Sequence, residues 1–523
     1  MRRQMLFLVV TIITIVTCTN RALGVTDTNA LLSGDWGDSN TWSAGVPVWV
    51  DGGTQSDAQI EQGFNVTIDD DTAEAFRIIV GDNDQGNSGT LTMTGGTLST
   101  DKVFTLGGFE VADNNGTGTL NQSGGQILIG ALGTNGGSQQ FVVGDAANTK
   151  GYYNLSGTGT LNAPDGVAIA NALSTVGQIH QTGGAITAPL MDLGKNGSGT
   201  YLLESGSLEL TGALLVATYV DGSGSITQSG GTITMSNLDV GRNGIGSYAL
   251  QGGSVTSSAT GAGIELGRFG TSSGTVIQSG GSLATLNEDL TIAEKGNAQY
   301  TMTGGTIDVA DDLFIGRASD GGNSGLLDQS SGTVTVTNNV WVSNINQSIG
   351  TYSFSADAIA IFGGSLNVCS ALAANNTTPD GASGTLNIVG EDVSITVGGD
   401  LNASGAGANA LNSSLINFTT GVTGNVSTID VAGAADIDGA VIDIIESSPV
   451  AIGTVLDLVE TEGGVSNLGS ASVGPAASGS WTLRLGGASD NILQAVKVPE
   501  PSSIVLVAIG AAVACFFRKR RSL

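Results

Sequence analysis

A phrase of about ten residues recurs through much of the chain, at a spacing too short for a domain and too regular for a linker. It reads GTLTMTGGTL from Gly89, GTLNQSGGQI from Gly118, GQIHQTGGAI from Gly177 and GSITQSGGTI from Gly224. GSYALQGGSV from Gly246, GTVIQSGGSL from Gly274, AQYTMTGGTI from Ala298 and GLLDQSSGTV from Gly325 continue it. A second phrase, apolar–x–apolar–Gly, falls between these. It ends at Gly81, Gly107, Gly144, Ala170, Gly194, Ala217, Gly241, Gly267, Ala293, Gly316 and Ser343. From Gly81 to Ser343 is 262 residues in ten steps, a mean of 26. A period in this range marks a solenoid or an array.

Inside a repeat the apolar residues alternate. Thr232-Ile233-Thr234-Met235 and Leu238-Asp239-Val240 follow the period of a strand, not the 3.6-residue period of a helix. Gly-Gly pairs between the strands supply the positive φ that a corner needs. No single repeat can bury its few Ile, Leu and Val, but coils stacked on one another share a continuous core. The expectation is an all-β parallel β-solenoid (β-helix) of about eleven coils, roughly 50 Å long at ~4.8 Å per coil. A β-propeller is the other array to weigh. Its blades need about 40 residues and more aromatics than the 5% present here.

The repeats occupy residues 76–343. Residues 25–75 read as an N-terminal capping segment and contain GDWGDSNTWSAGVPVWVDG, with Trp36, Trp42 and Trp49. Exposed, these tryptophans would stack on carbohydrate; buried, they would shield the open edge of the first coil. Residues 344–497 keep strand alternation while the phrase decays, and read as divergent β-solenoid ending in a flexible link.

The two ends are addresses. Residues 1–24 combine Arg2 and Arg3, an apolar run over 5–16 and the small-x-small site Ala22-Leu23-Gly24, the pattern of a secretory signal peptide. Residues 498–523 read VPEPSSIVLVAIGAAVACFFRKRRSL. The apolar run 504–517 would make a membrane helix of roughly 21 Å, short of the ~30 Å hydrocarbon core. Arg518, Lys519, Arg520 and Arg521 would stay cytoplasmic.

This tail resembles the PEP-CTERM sorting signal of Gram-negative bacteria: Pro499-Glu500-Pro501, an apolar helix, then a basic cluster. The resemblance implies an exosortase-type sorting enzyme as partner, with Pro499, Glu500 and Pro501 as the recognised motif. It further implies delivery to the cell surface or an exopolysaccharide matrix after transient anchoring in the inner membrane. The repeats behind an aromatic segment likewise resemble the β-strand repeats associated with autotransporter passengers.

Little in the body points to chemistry. Outside the two ends it holds 45 acidic and 10 basic residues, a charge of −35, which disfavours nucleic acid as a partner. Cys369 is the body's lone cysteine, so no internal disulfide is available there. With one histidine, His180, there is no triad and no histidine-ligated metal site. His180 reads as a surface strand residue. The acidic turns DDDT (from Asp69) and DNDQGN (from Asp82) could group oxygen ligands for Ca2+, but neither completes a calcium loop, and no cofactor is expected.

The middle residue of each apolar–x–apolar–Gly phrase should face outward and stack. From Gly194 onward it is Asp192, Leu215, Asp239, Glu265, Thr291, Phe314 and Trp341. Asp239 and Glu265 would be carboxyl neighbours ~5 Å apart, the separation that retaining glycosidases use. Lys195, Arg242, Arg268 and Arg317, each just after a corner, would pair with this ladder at the solvated surface. The expected function is therefore non-enzymatic: an exported structural or adhesive surface rod. A surface polysaccharide lyase or glycosidase is the rival. A carbohydrate-binding module, through Trp36, Trp42, Trp49 or the Phe314–Trp341 neighbours, is a third reading.

Overall fold

The computed structural model describes residues 25–48, 55–81, 88–106, 116–130, 140–258, 263–317, 323–344, 347–369, 381–403, 413–476, 480–487 and 489–499. The signal peptide, Trp49, the Asp82–Asn87 turn, Glu500, Pro501, the apolar run 504–517 and the basic tail lie outside these residues. Among the described residues no helix is long and apolar enough to cross a membrane, and the one helical element is the 3-10 turn Ser39–Thr41.

The chain winds as a parallel β-solenoid in which each coil contributes three strands. One coil shows the plan: Asn237–Val240, Ile245–Leu250 and Ser254–Ser257. The first strand of every coil enters a 17-stranded sheet, here called the narrow ladder, and the other two enter a 32-stranded sheet. Pairing between coils is parallel and in register: Leu238, Asp239 and Val240 sit on Ile264, Glu265 and Leu266.

About fifteen turns form, not eleven. The narrow ladder already runs through Val25–Asn29 and Gln55–Ile60, and it continues past Ser343 through Leu366–Val368 and Leu401–Ala403. The extra turns escaped the repeat count because Glu61 and Cys369 take the corner in place of the Gly, Ala or Ser of the counted phrases. At ~4.8 Å per coil the stack is about 70 Å long.

Glycine is needed at the corner for two reasons. Gly241 has φ +72°, and a Cβ on it would lie 2.2 Å from the carbonyl oxygen of Ser273 in the next coil. Ala170, Ala217, Ala293, Ser343 and Cys369 hold the same left-handed conformation at the same corner. Each does so at a local cost of roughly 1–2 kcal/mol that the stack absorbs.

The core is a single apolar column. Val240, Leu266, Ile292, Ile315 and Val342 follow one another down it, fully buried. Polar rungs cross the column at every second coil. Gln122, Gln181, Gln228, Gln278 and Gln329 alternate with Tyr153, Tyr201, Tyr248, Tyr300 and Tyr352. Nε2 of Gln228 donates to the carbonyls of Gly231 and Ser254, each at 3.2 Å, and its Oε1 accepts from the Tyr248 hydroxyl. The rung thus satisfies every polar atom of the buried amide.

Both ends are closed. At the N-terminus Trp36 and Trp42 are 1% and 3% exposed, with ring centroids 5.0 Å apart in an edge arrangement. Trp42 Nε1 donates to the Trp36 carbonyl. These two rings therefore offer no face for sugar stacking; they plug the first coil. At the C-terminus the stretch read as a flexible link is the strand Ile492–Lys497. It lies antiparallel between Val455–Thr461 and Trp481–Gly486.

Candidate functional site

The turns show which face of the rod varies. Between the second and third strands the corner is at most four residues through most of the stack, as in residues 229–231 and 303–305, and lengthens to nine only near the C-terminal end, at 420–428 and 446–454. Between the narrow ladder and the second strand it runs from four residues, 241–244, to fourteen, 369–382. The corner from the third strand back to the ladder also varies, from one residue, 236, to eleven, 130–140, so variable turns flank the narrow ladder on both edges and mark its face as the one that carries function.

The middle residues of the narrow ladder face away from the core column, as expected, and none joins the core cluster. The expectation that they are solvated is wrong. Asp239 is 0% exposed, Glu265 and Asp192 7%, and Leu215, Thr291, Phe314 and Trp341 are buried with them. They form the floor of a groove, and side chains from its edges lie across that floor. Arg317 begins just after one strand of the ladder and reaches Asp289, just before the preceding one, at 3.2 Å. Its guanidinium rests 4.2 Å above the Phe314 ring. Phe314 and Trp341 themselves stack nearly parallel with centroids 6.5 Å apart, and Trp341 Nε1 donates to Asp312. Long cationic side chains cover apolar and acidic floor residues with their stems while their heads stay near water.

The acidic pair sits at the centre of this groove. Arg268 Nη1 donates to Asp239 Oδ2 at 2.8 Å, and its Nε lies 2.9 Å from Glu265 Oε2. That second contact is an ion pair without hydrogen-bond alignment, since Glu265 Oε2 has no hydrogen-bond partner. Arg242 Nη1 approaches Asp239 at 3.5 Å. Burial pushes the Glu265 carboxyl up to about 7; Arg268 pulls it back only in part, and Asp239 and Glu294 push it further. Burial also raises Asp192, against a hydrogen bond from Thr218. Lys195 makes no ion pair among the described residues, so only three of the four corner bases join the ladder as expected.

An acid of raised pKa beside a second carboxyl resembles the carboxyl pair of a glycosidase. Here both carboxyls are buried and both contact Arg268.

Other candidates separate cleanly. His180 is a partly exposed strand residue whose Nε2 lies 2.8 Å from Glu204 Oε1. The carboxylates of Asp69, Asp70 and Asp71 fall within 4.8 Å of one another on an exposed turn. A hydrogen bond from Asp69 and its charge raise the Asp70 carboxyl. A cavity of about 350 Å3 between Phe76, Val103 and Val142 opens on the same groove near its N-terminal end.

What the sequence reading missed lies in the corner turns. Tyr219 and Phe269 occupy the same place in six-residue turns two coils apart, 217–222 and 267–272, and are 49% and 36% exposed. The signal was present as ATYVDG against GRFGTS.

At the C-terminal end Lys497 forms an ion pair with Glu446, and its ammonium lies 5.4 Å from the Trp481 ring centroid. Burial pushes the Glu446 carboxyl up, but hydrogen bonds from Lys497, Trp481 and the Val450 amide outweigh it and hold the group below its ordinary range. Pro499 follows two residues later and is exposed. Residues 497–521 match the family model of the PEP-CTERM protein-sorting motif. No curated protein and no solved structure matches the chain. The match begins at the last residue of the closing strand, so sorting signal and folded rod adjoin. The C-terminus is a PEP-CTERM signal, which marks the chain as an exported, membrane-associated cell-surface protein and an exosortase substrate.

Proposed function

We propose that the chain is a non-enzymatic structural or adhesive rod, released at the cell surface into an exopolysaccharide matrix. Supporting the non-enzymatic part is one observation: the outward carboxyl pair of the ladder, Asp239 and Glu265, is buried under Arg268 and Arg242. A rod about 70 Å long, closed at both ends and acidic overall, is a spacer and scaffold rather than a container for a reaction.

The route to the surface runs through the tail. Residues 504–517 would hold the exported chain at the inner membrane until the enzyme that reads Pro499-Glu500-Pro501 releases it. Neither bound calcium nor a cofactor is needed for this role. The test is to incubate purified chain with the polysaccharide of the producing cells and follow polymer length. Unchanged length together with co-sedimentation of rod and polymer is expected. Time-dependent shortening that Glu265→Gln abolishes would establish the lyase or glycosidase reading instead.

A further inference from the structure

We propose that the notch over residues 241–244 is a subsite for a carboxylated pyranose unit, a hexuronate, of a polysaccharide. The proposal deepens the matrix reading above by naming the polymer chemistry. The notch arises from turn length. The four-residue turn 241–244 lies between the six-residue turns 217–222 and 267–272, so one coil is recessed between two that project. Tyr219 projects on one side and Phe269 on the other, two coils or about 9.6 Å apart. That gap accepts one six-membered ring, with a stacking contact of about 4.5–5 Å on each side. The cavity is about 410 Å3 and is lined by Leu215, Thr218, Tyr219, Arg242, Asn243 and Phe269.

The floor supplies the charge. Among the described residues the Arg242 guanidinium makes no hydrogen bond. Its nearest acid, Asp239, lies at 3.5 Å and is already bonded to Arg268 at 2.8 Å. With Nη1 in the ion pair with Asp239, the Nη2 and Nε groups of Arg242 remain to bind a carboxylate, for which the planar fork is suited. Its Cζ lies 5.9 Å from the Phe269 ring centroid, which holds the fork beside the stacking wall. The Asn243 amide is fixed by donation from Nδ2 to the Thr218 carbonyl at 2.7 Å, leaving Oδ1 to accept from a sugar hydroxyl. The walls are also pre-set. The Tyr219 amide donates to the Lys195 carbonyl, and the Phe269 amide to that of Arg242. A carboxylate, hydroxyls and two flat apolar faces are together the chemistry of a uronate ring. The next short turn, 194–197, has Tyr219 on one side but only Ala172 on the other, and does not repeat the arrangement.

The test uses full-length chain in detergent and affinity electrophoresis through gels containing polygalacturonate or its fully methyl-esterified form. Expected is retardation by the acid polymer, at least tenfold weaker with the ester. Arg242→Gln should lower affinity for the acid at least tenfold. Tyr219→Ala, which touches no ion pair, should lower it several-fold. Arg484→Gln, a base on the closing sheet, should leave it unchanged. The tail's four bases are common to all these proteins and cancel in the comparison. Should Arg242→Gln misfold by circular dichroism, Tyr219→Ala decides alone. No retardation, equal retardation by acid and ester, equal loss from Arg242→Gln and Arg484→Gln, or an unaffected Tyr219→Ala would each overturn the subsite. Its failure in a chain still recovered from the surface matrix leaves the matrix reading standing; absence from that fraction sinks that reading instead.

Discussion

The Gln–Tyr rungs allow a quantitative test of what holds the coils in register. Tyr248→Phe removes one hydroxyl and strands Oε1 of Gln228 in the core, where Gln228 is 0% exposed. A buried acceptor left without a partner costs about 1–2 kcal/mol. Gln228→Met does more. It strands the Tyr248 hydroxyl and withdraws a donor from the carbonyls of Gly231 and Ser254. Gly231 still accepts from the Ser254 amide at 3.1 Å, so its loss is partial and the total is about 2–4 kcal/mol. The double variant removes both ends of the Gln–Tyr bond and should cost less than the sum by about 1–2 kcal/mol. In a solenoid the stability of one coil is diluted in the whole. The reading is therefore native-state amide exchange of residues 226–235 in low urea, with protection converted to free energy. Additivity within about 0.5 kcal/mol would show that the rung carries no coupling and that apolar packing alone sets the register.

Glu265 predicts a stability that falls as pH rises. Its carboxyl is raised from 4.5 to about 7 in the fold, so between those values the native state holds a proton that the unfolded state has lost. Stability is fullest below about 4.5 and falls through about 7, by about 1–3 kcal/mol for this group. The melting point of Glu265→Gln should accordingly gain on wild type between pH 5 and pH 8; a constant difference would refute the assignment. Val240→Asp places an unpaired charge in the core column and should cost several kcal/mol. Asp239→Asn, on the groove side, should cost about 1–3 kcal/mol, because Arg268 loses the acid it hydrogen-bonds; equal urea midpoints for the two would contradict the two-sided ladder. Mass spectrometry of surface-fraction protein should find no peptide through Arg518, and Glu500→Ala should leave full-length chain in the inner membrane. Intact tail on the surface form would make the tail a plain anchor.

The fold was legible because corner and core leave separate marks. Gly241 and its equivalents punctuate the chain, since a Cβ there meets the next coil's backbone, while the apolar alternation between them names the inward residues. The outer turns were lost where Cys369 takes the corner and the turn lengthens to 369–382, so that the period drifts. The burial of Asp239, Glu265 and Trp341 was not legible. It depends on arginines that start at one edge of the groove and cross to another coil, as Arg317 does to Asp289, and no local pattern encodes that crossing. The Gln–Tyr rungs are a different case. They were written plainly, Gln in one coil and Tyr in the next, but with a two-coil period in residue identity. A search for one-coil periodicity in hydrophobicity passes over it.

The closing sheet ties the rod's architecture to its export. Six residues, 498–503, separate Lys497 from the apolar run, a span of at most about 20 Å. Lys497 cannot move without breaking its ion pair with Glu446 and its place between two antiparallel strands. A sorting enzyme that reads Pro499-Glu500-Pro501 in the membrane therefore works beside folded protein. Were the apolar run 504–517 held in a bilayer, the C-terminal end of the stack would stand within about 20 Å of it while the tail is intact. The Arg242 notch lies eight coils away along the narrow ladder, about 38 Å from that end. In that arrangement the proposed polymer subsite and the sorting signal would act on separate parts of the rod, one on its flank and the other at its closed end.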